Sequence, residues 1–219
     1  MQICLNDEWV NIPASTAEIT LKQKIDFQAQ YGDELDLMAK SISEMKDLEK
    51  ELETLQFQFE QMFRTFAFFT NTTVEALKES EFIDKIASIY YSCLSQMNTL
   101  DEIQDLVQTH EWNDEEWVID HPQLKNGDRM TFGEFIDAKQ IIQNMLGLSK
   151  NRWECLIPLC AIFLRKKDEL YDQSVLYEDS ERLKLMETVP LSIALHVGFF
   201  LSISLSIYTQ TFQSLAHQE

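Results

Sequence analysis

Four histidines, His110, His121, His196 and His217, and four cysteines, Cys4, Cys93, Cys155 and Cys160, are the residues of this 219-residue chain best suited to hold a metal or attack a substrate. A zinc centre needs several such ligands converging, and closely spaced pairs usually announce one. His110 and Asp114 have the spacing of one helical face, but no second histidine pair completes a tetrahedral site. Cys155 and Cys160 stand in an apolar stretch, where small buried thiols are expected. His196 lies in another apolar run and reads as a satisfied core histidine. Asp114, Glu115 and Glu116 are adjacent on a polar segment, a solvated run rather than an acid and a base held apart. GxSxG, HExxH, P-loop and GxGxxG patterns are absent. The expectation is a protein that is not an enzyme and uses no metal and no cofactor.

Composition narrows the class further. The apolar fraction of 45% suits a folded chain with a sizeable core. Only 5 glycines occur, which disfavours phosphate-cradling loops and tight β-meanders and favours helices. With 37 acidic against 18 basic side chains the formal charge is −19, so nucleic-acid binding through a basic surface is not expected. The one basic cluster, Arg165-Lys166-Lys167, reads as the last turn of a helix, where cations complement the macrodipole. Scattered cysteines and the opening MQICLNDEWV, which lacks a basic flank and an apolar run, predict no disulfide framework, no signal peptide and a reducing compartment.

The chain says one thing twice. NDEWVNIP from Asn6 is echoed by NDEEWVIDHP from Asn113, and each is followed by a threonine with Gln or Glu three residues on: Thr20 with Gln23, and Thr131 with Glu134. Each pair predicts a capping box that opens a helix carrying an Ile-Asp pair, Ile25-Asp26 or Ile136-Asp137. Met130 and Phe135 add a hydrophobic staple in the second copy; Lys24 takes that place in the first. The repeated unit is therefore strand, turn, capped helix. The short strands at Trp9–Ile12 and Trp117–Ile119 are expected to come together in a small sheet, with Asn126-Gly127 turning a hairpin in the second unit. The tryptophans read as core or sheet-covering residues.

Between the repeats the text is helical. Met45, Leu48, Leu52, Leu55, Phe59, Met62, Phe66 and Phe69 follow alternating steps of three and four, and Phe57, Phe63 and Phe68 widen the stripe in its second half. The pattern predicts one long helix over about 33–70 that starts exposed and ends buried. Its narrow part could pair with a second copy, but packing within the chain is the preferred reading. Further helix starts are expected at Thr72 with Glu75, at Ser80, and at Thr99 with Glu102. Pro158 predicts a kink or two short helices, and a helix runs through SERLKLMETV.

From Thr188 to Ala216 there is no Asp, Glu, Lys or Arg. Ala194, Gly198, Ser202 and Ser206 recur every fourth residue and form a small-residue face for helix packing or for a partner. A helix buried among others is the preferred reading. The alternative is a membrane-associated protein anchored by residues 189–208, with Arg182 and Lys184 orienting the N-terminal body toward the cytoplasm. The fold class is thus mainly α: a helical bundle with a small β element built from two strand–turn–capped-helix units. The expected division is a helical unit at 1–112 and a second at 113–219 with the apolar final helix, joined in one compact fold.

Short patches of the text are similar to known proteins. WVNIPASTAEITLKQKIDF resembles the opening of small proteins from the morphogenesis modules of tailed bacteriophages. FAFFTNTTVEALKESEFIDKIASIYY resembles the apolar run, turn and capped helix of tail-assembly chaperones. MTFGEFIDAKQII and VPLSIALHVGFF resemble segments from phages of Bacteroidetes hosts, including the crAss-like group. The resemblance covers about half of the chain, contains no diagnostic motif and carries over no catalytic or ligand residue. It implies a non-enzymatic assembly protein, either a neck or tail component or a chaperone for a tail protein. Its partners would be other phage structural proteins or further copies of itself, in the host cytoplasm during assembly or in the virion. An enzyme with an unrecognised site is the remaining alternative.

Overall fold

The computed structural model describes residues 2–5, 8–80, 82–98, 107–119, 131–148, 151 and 153–201. The chain is mainly α with a small antiparallel β element, and it divides into two compact units, Met1–Leu100 and Asp101–Glu219. A boundary at 112/113 would cut the turn of a β-hairpin that belongs wholly to the second unit.

In the first unit β1 (Gln2–Leu5) and β2 (Glu8–Asn11) form a hairpin with Ile3 opposite Val10 and Cys4 opposite Trp9. Successive strand residues face opposite ways, so Ile3 is buried while its neighbour Cys4 is exposed. Trp9, opposite Cys4, is 72% exposed and is not a core residue. The next helix, α1 (Leu21–Ser43), opens on the expected capping box: Thr20 Oγ1 accepts from Gln23 N–H at 3.1 Å, and Gln23 Oε1 accepts from Thr20 N–H at 2.9 Å. Lys24 is buried beside this start, its Nζ 5.3 Å from the centre of the Phe27 ring.

The single long helix over 33–70 is not formed. α1 ends at Ser43, Lys46 is extended, and α2 (Asp47–Thr70) turns back against α1. The break uses neither proline nor glycine. Ser41 and Ser43 hydroxyls donate to the carbonyls of Met38 and Lys40, the local side-chain competition that weakens helix ends. A straight helix of that length would run for about 57 Å; folding back lets α1 cover one side of α2. Phe27 meets Phe68 edge-on with ring centroids 5.6 Å apart, and Arg64 pairs with Glu34 at 2.8 Å. At its far end α2 stops on Asn71 in the left-handed region, whose N–H donates to Ala67 O. The helix α3 (Val74–Lys78) follows; its cap is Thr73, bonded to Ala76 N–H, rather than Thr72. Then come α4 (Ile83–Ile89), which begins beyond Ser80, a π-helical turn at Tyr90–Leu94 and a 3-10 turn at Ser95–Asn98. Ile12, Ile19, Phe27, Met62, Phe66, Ile86, Leu94 and Met97 form the core.

The second unit begins with the hairpin β3 (Thr109–Trp112) and β4 (Glu115–Ile119). Asn113 and Asp114, with φ of 54° and 60°, occupy the two central positions of a tight turn that requires positive φ at both. The segment read as a solvated loop is therefore a hairpin, and His110 and Asp114 do not share a helical face. After α5 (Phe132–Leu148), Pro158 sits in the first turn of α6 (Leu156–Phe163), where a missing N–H costs no helical bond. It therefore causes neither a kink nor a split. Arg165 and Lys166 are not a helical terminus: they lie in β5 (Leu164–Lys166), which pairs antiparallel with β4. The two echoed strands, β2 and β4, do not share a sheet; β2 pairs with β1, and β4 lies between β3 and β5. β4 finds backbone partners on both edges within its own unit, in β3 and β5. A 3-10 turn at Gln173–Leu176, α7 (Glu181–Glu187) capped by Ser180, and α8 (residues 191–201) complete the described part. The helix starts expected at Thr99, the Asn126-Gly127 turn and the Met130 staple lie outside the described residues.

Candidate protein-docking surface

The apolar stripe of α2 changes environment along its length. Leu52, Leu55, Phe59, Met62 and Phe66 lie on one face of the helix by their three- and four-residue steps. Their exposures are 68%, 50%, 40%, 1% and 0%. Past Met62 the stripe is core, and α2 meets β2, α3, α4 and the π-helical turn. Before Phe59 the same stripe faces water. The side of α2 that meets α1 is a different one, carrying Arg64 and Phe68. The two turns of the stripe from Leu52 to Phe59 are left uncovered. Isolated exposed leucines are ordinary on a surface; an ordered row continuous with the core is the pattern of a docking face.

The border of that row is acidic and amide-bearing. Glu49 and Gln56 flank Leu52 at i−3 and i+4, and Glu51 and Gln58 flank Leu55 at i−4 and i+3; all four are exposed. Lys50 is the one basic residue between Asp47 and Phe59, and its position on the helical wheel is away from the row. Further down, Glu60 is held by Arg64 at 3.4 Å and by Lys78, so this carboxylate is already paired.

The residues singled out from the sequence fall in several places. Thr131 and Glu134 form the second capping box, with Glu134 N–H donating to Thr131 Oγ1 at 3.3 Å and Thr131 N–H donating to the Glu134 carboxylate. Glu134 is also fully buried and forms an ion pair with Arg165 at 2.6 Å, a role that the cap motif did not announce. Lys166 and Lys167 pair with Glu115 and Glu116 across the β4–β5 ladder at 2.7 and 3.2 Å. Asp26 pairs with Lys22 on the surface, whereas Asp137, its counterpart in the echo, accepts from Tyr171 Oη at 2.6 Å and from Gln173 Nε2 at 3.1 Å. Burial and this carboxylate push the Tyr171 phenol up.

On the small-residue face Ala194 is fully buried, and a methyl group at Gly198 would meet Leu156 Cδ2 at 3.6 Å, an ordinary contact. This part of the face packs inside its own unit. Ser202 and Ser206, like the rest of 202–208, lie outside the described residues. Among the described residues no helix is long and apolar enough to cross a membrane.

Two histidines far apart in sequence meet. The rings of His110 on β3 and His196 on α8 have centroids 5.2 Å apart, and Val107 N–H donates to His196 Nδ1 at 3.4 Å. Burial lowers both pKa values, and for His110 the neighbouring His196 lowers it further, against a smaller opposing contribution from Val107. No group of three or more His, Cys, Asp or Glu able to hold a metal occurs among the described residues. Cys160 is fully buried and Cys155 half-buried, and desolvation pushes both thiols up. A histidine pair formed by a strand and a helix 86 positions apart leaves no mark in spacing, which is why the sequence did not show it.

No known protein family, curated protein or solved structure matches the chain.

Proposed function

We propose that this chain is a non-enzymatic assembly protein of a tailed bacteriophage, a neck or tail component of the virion or a tail-assembly chaperone, acting by protein–protein contacts. The observation that carries the contact part is the uncovered row Leu52, Leu55 and Phe59, continuous with the buried Met62 and Phe66. An apolar helical face read by i, i+3, i+4 anchors is a recurring mode of protein recognition. The −19 charge supports the same reading, since it keeps such a face soluble until a specific partner covers it. The phage assignment rests on the resemblance of WVNIPASTAEITLKQKIDF and FAFFTNTTVEALKESEFIDKIASIYY to morphogenesis proteins. On this reading the chain acts in the host cytoplasm during assembly and, as a neck or tail component, enters the virion.

The test is co-production with the tail and neck proteins encoded beside it, comparing the native chain with a Leu52→Glu, Leu55→Glu, Phe59→Glu triple variant. The reading expects a stoichiometric complex with one of them that the triple variant loses while its helical circular dichroism is unchanged. A complex that survives all three substitutions removes the row from the contact, and the absence of any complex removes the assembly role.

A further inference from the structure

Resting on that reading, we propose that the row on α2 takes a basic amphipathic helix of a different protein, not a second copy of this chain. The row spans two helical turns from Leu52 to Phe59, and its flanks on both sides are Glu49, Glu51, Gln56 and Gln58, with no cation among them. A helix laid along it places its own flanking residues against these side chains. Lys or Arg there meets the exposed Glu49 and Glu51, whereas Asp or Glu meets like charge. A second copy brings the same glutamates, and each copy carries −19. Self-pairing through this row therefore brings no cation to its border and adds the repulsion between two strongly acidic bodies. An anionic lipid surface is repelled for the same reason. Rim charges of this kind act mainly on association rate and on choice of partner, while Leu52, Leu55 and Phe59 supply the burial.

The experiment uses the full chain and two labelled 18-residue peptides. Both carry the same leucines at i, i+3, i+4 and i+7 steps; one has Lys and Arg at the flanking positions, the other has Glu. Fluorescence anisotropy is expected to show the basic peptide binding at least tenfold more tightly, with the difference shrinking as salt is raised. The Glu49→Lys, Glu51→Lys double variant changes two exposed positions to a good helix former, and it should reverse the preference. Phe59→Glu should abolish binding of both peptides. Equal binding of the two peptides, no binding of either, or an unchanged preference in the double variant overturns the proposal. So does a dimer by sedimentation that Phe59→Glu dissolves. These outcomes are separable from failure of the assembly reading. If the basic peptide is not preferred but the triple variant still loses its virion-protein partner, the partner's chemistry is wrong and the assembly reading stands. If no virion protein is captured yet the basic peptide is preferred, the docking surface stands without that role.

Discussion

Phe59 and Met62 are one helical turn apart on the same stripe of α2, yet Phe59 is 40% exposed and Met62 is 1% exposed. The step marks where the first unit's core ends. Beyond it Met62 and Phe66 are buried, while α1 meets a different side of the helix, at Arg64 and Phe68. An amphipathic helix that carries its apolar face past its own core has that face available to another molecule.

Substitutions on the two sides of this step should differ sharply. Leu52→Ser and Leu55→Ser change exposed side chains and should move stability by no more than about 0.5 kcal/mol. Phe66→Ala, at a fully buried position, should cost about 3–5 kcal/mol through lost burial and the cavity left behind. Urea denaturation followed by circular dichroism measures both. Equal losses on the two sides would mean the row is covered.

The buried ion pair between Glu134 and Arg165 makes a second prediction. Both side chains are buried, so removing one partner takes away a counter-charge that water cannot readily replace. Glu134→Ala or Arg165→Ala should each cost about 3–5 kcal/mol, while replacing the pair together by apolar residues of similar volume should cost much less. Glu134→Gln retains a carbonyl oxygen for the Thr131 amide but not the charge, and should fall between these limits. A double-mutant cycle reads the coupling directly.

Stability should also respond to acid through His110 and His196. Burial lowers both folded-state pKa values below the ordinary imidazole value, so the unfolded chain takes up protons at a higher pH than the folded one. The stabilisation is fully present above about 6.5, the unfolded value, and is lost as pH falls from there through the folded pKa values. A melting temperature that is flat above neutrality and drops as pH falls below about 6.5, with a smaller drop in His110→Asn, is the expected result. A carboxylate-driven drop would instead begin nearer pH 5 and be unchanged in that variant.

Thiol labelling should rank the cysteines by access and thiolate content. Cys4 is exposed and Cys160 fully buried, with its pKa raised by desolvation. Cys4 should react with a disulfide reagent within seconds to minutes, Cys155 slowly, and Cys160 only after unfolding. Reaction of Cys160 at the rate of Cys4 would show that the α6 environment opens without denaturation.

Two helix starts were legible from a local signal. Thr20 with Gln23 and Thr131 with Glu134 each announce a helix start by chemistry confined to four residues, and both boxes are formed. The stripe on α2 was legible too, including its passage from water into core. What failed was the information carried by tertiary neighbours. Near Glu44 only Ser41 and Ser43 weaken the helix, too mild a signal to announce the turn between α1 and α2; it reflects the face of α2 that α1 covers. Arg165 and Lys166 read as a helical end because their strand exists only through pairing with β4. The partner choice of β2 and β4 was likewise set by edges the echo does not contain. Of the candidate surface, the row was readable as periodicity, but its exposure depended on where the other elements stop. The His110–His196 contact, bridging a strand and a distant helix, had no sequence signal at all.

The most direct test of the central claim is photo-crosslinking from a benzophenone side chain placed at position 55 in the full chain. Position 37 on α1, also exposed but outside the row, serves as the control. Both proteins are irradiated during assembly in cells that make the neighbouring structural proteins. We predict one discrete crosslinked product from position 55, to a lysine- or arginine-bearing helix of another protein, and none from position 37. Equal products from the two positions, a product only with a second copy of this chain, or none from position 55 would contradict the account.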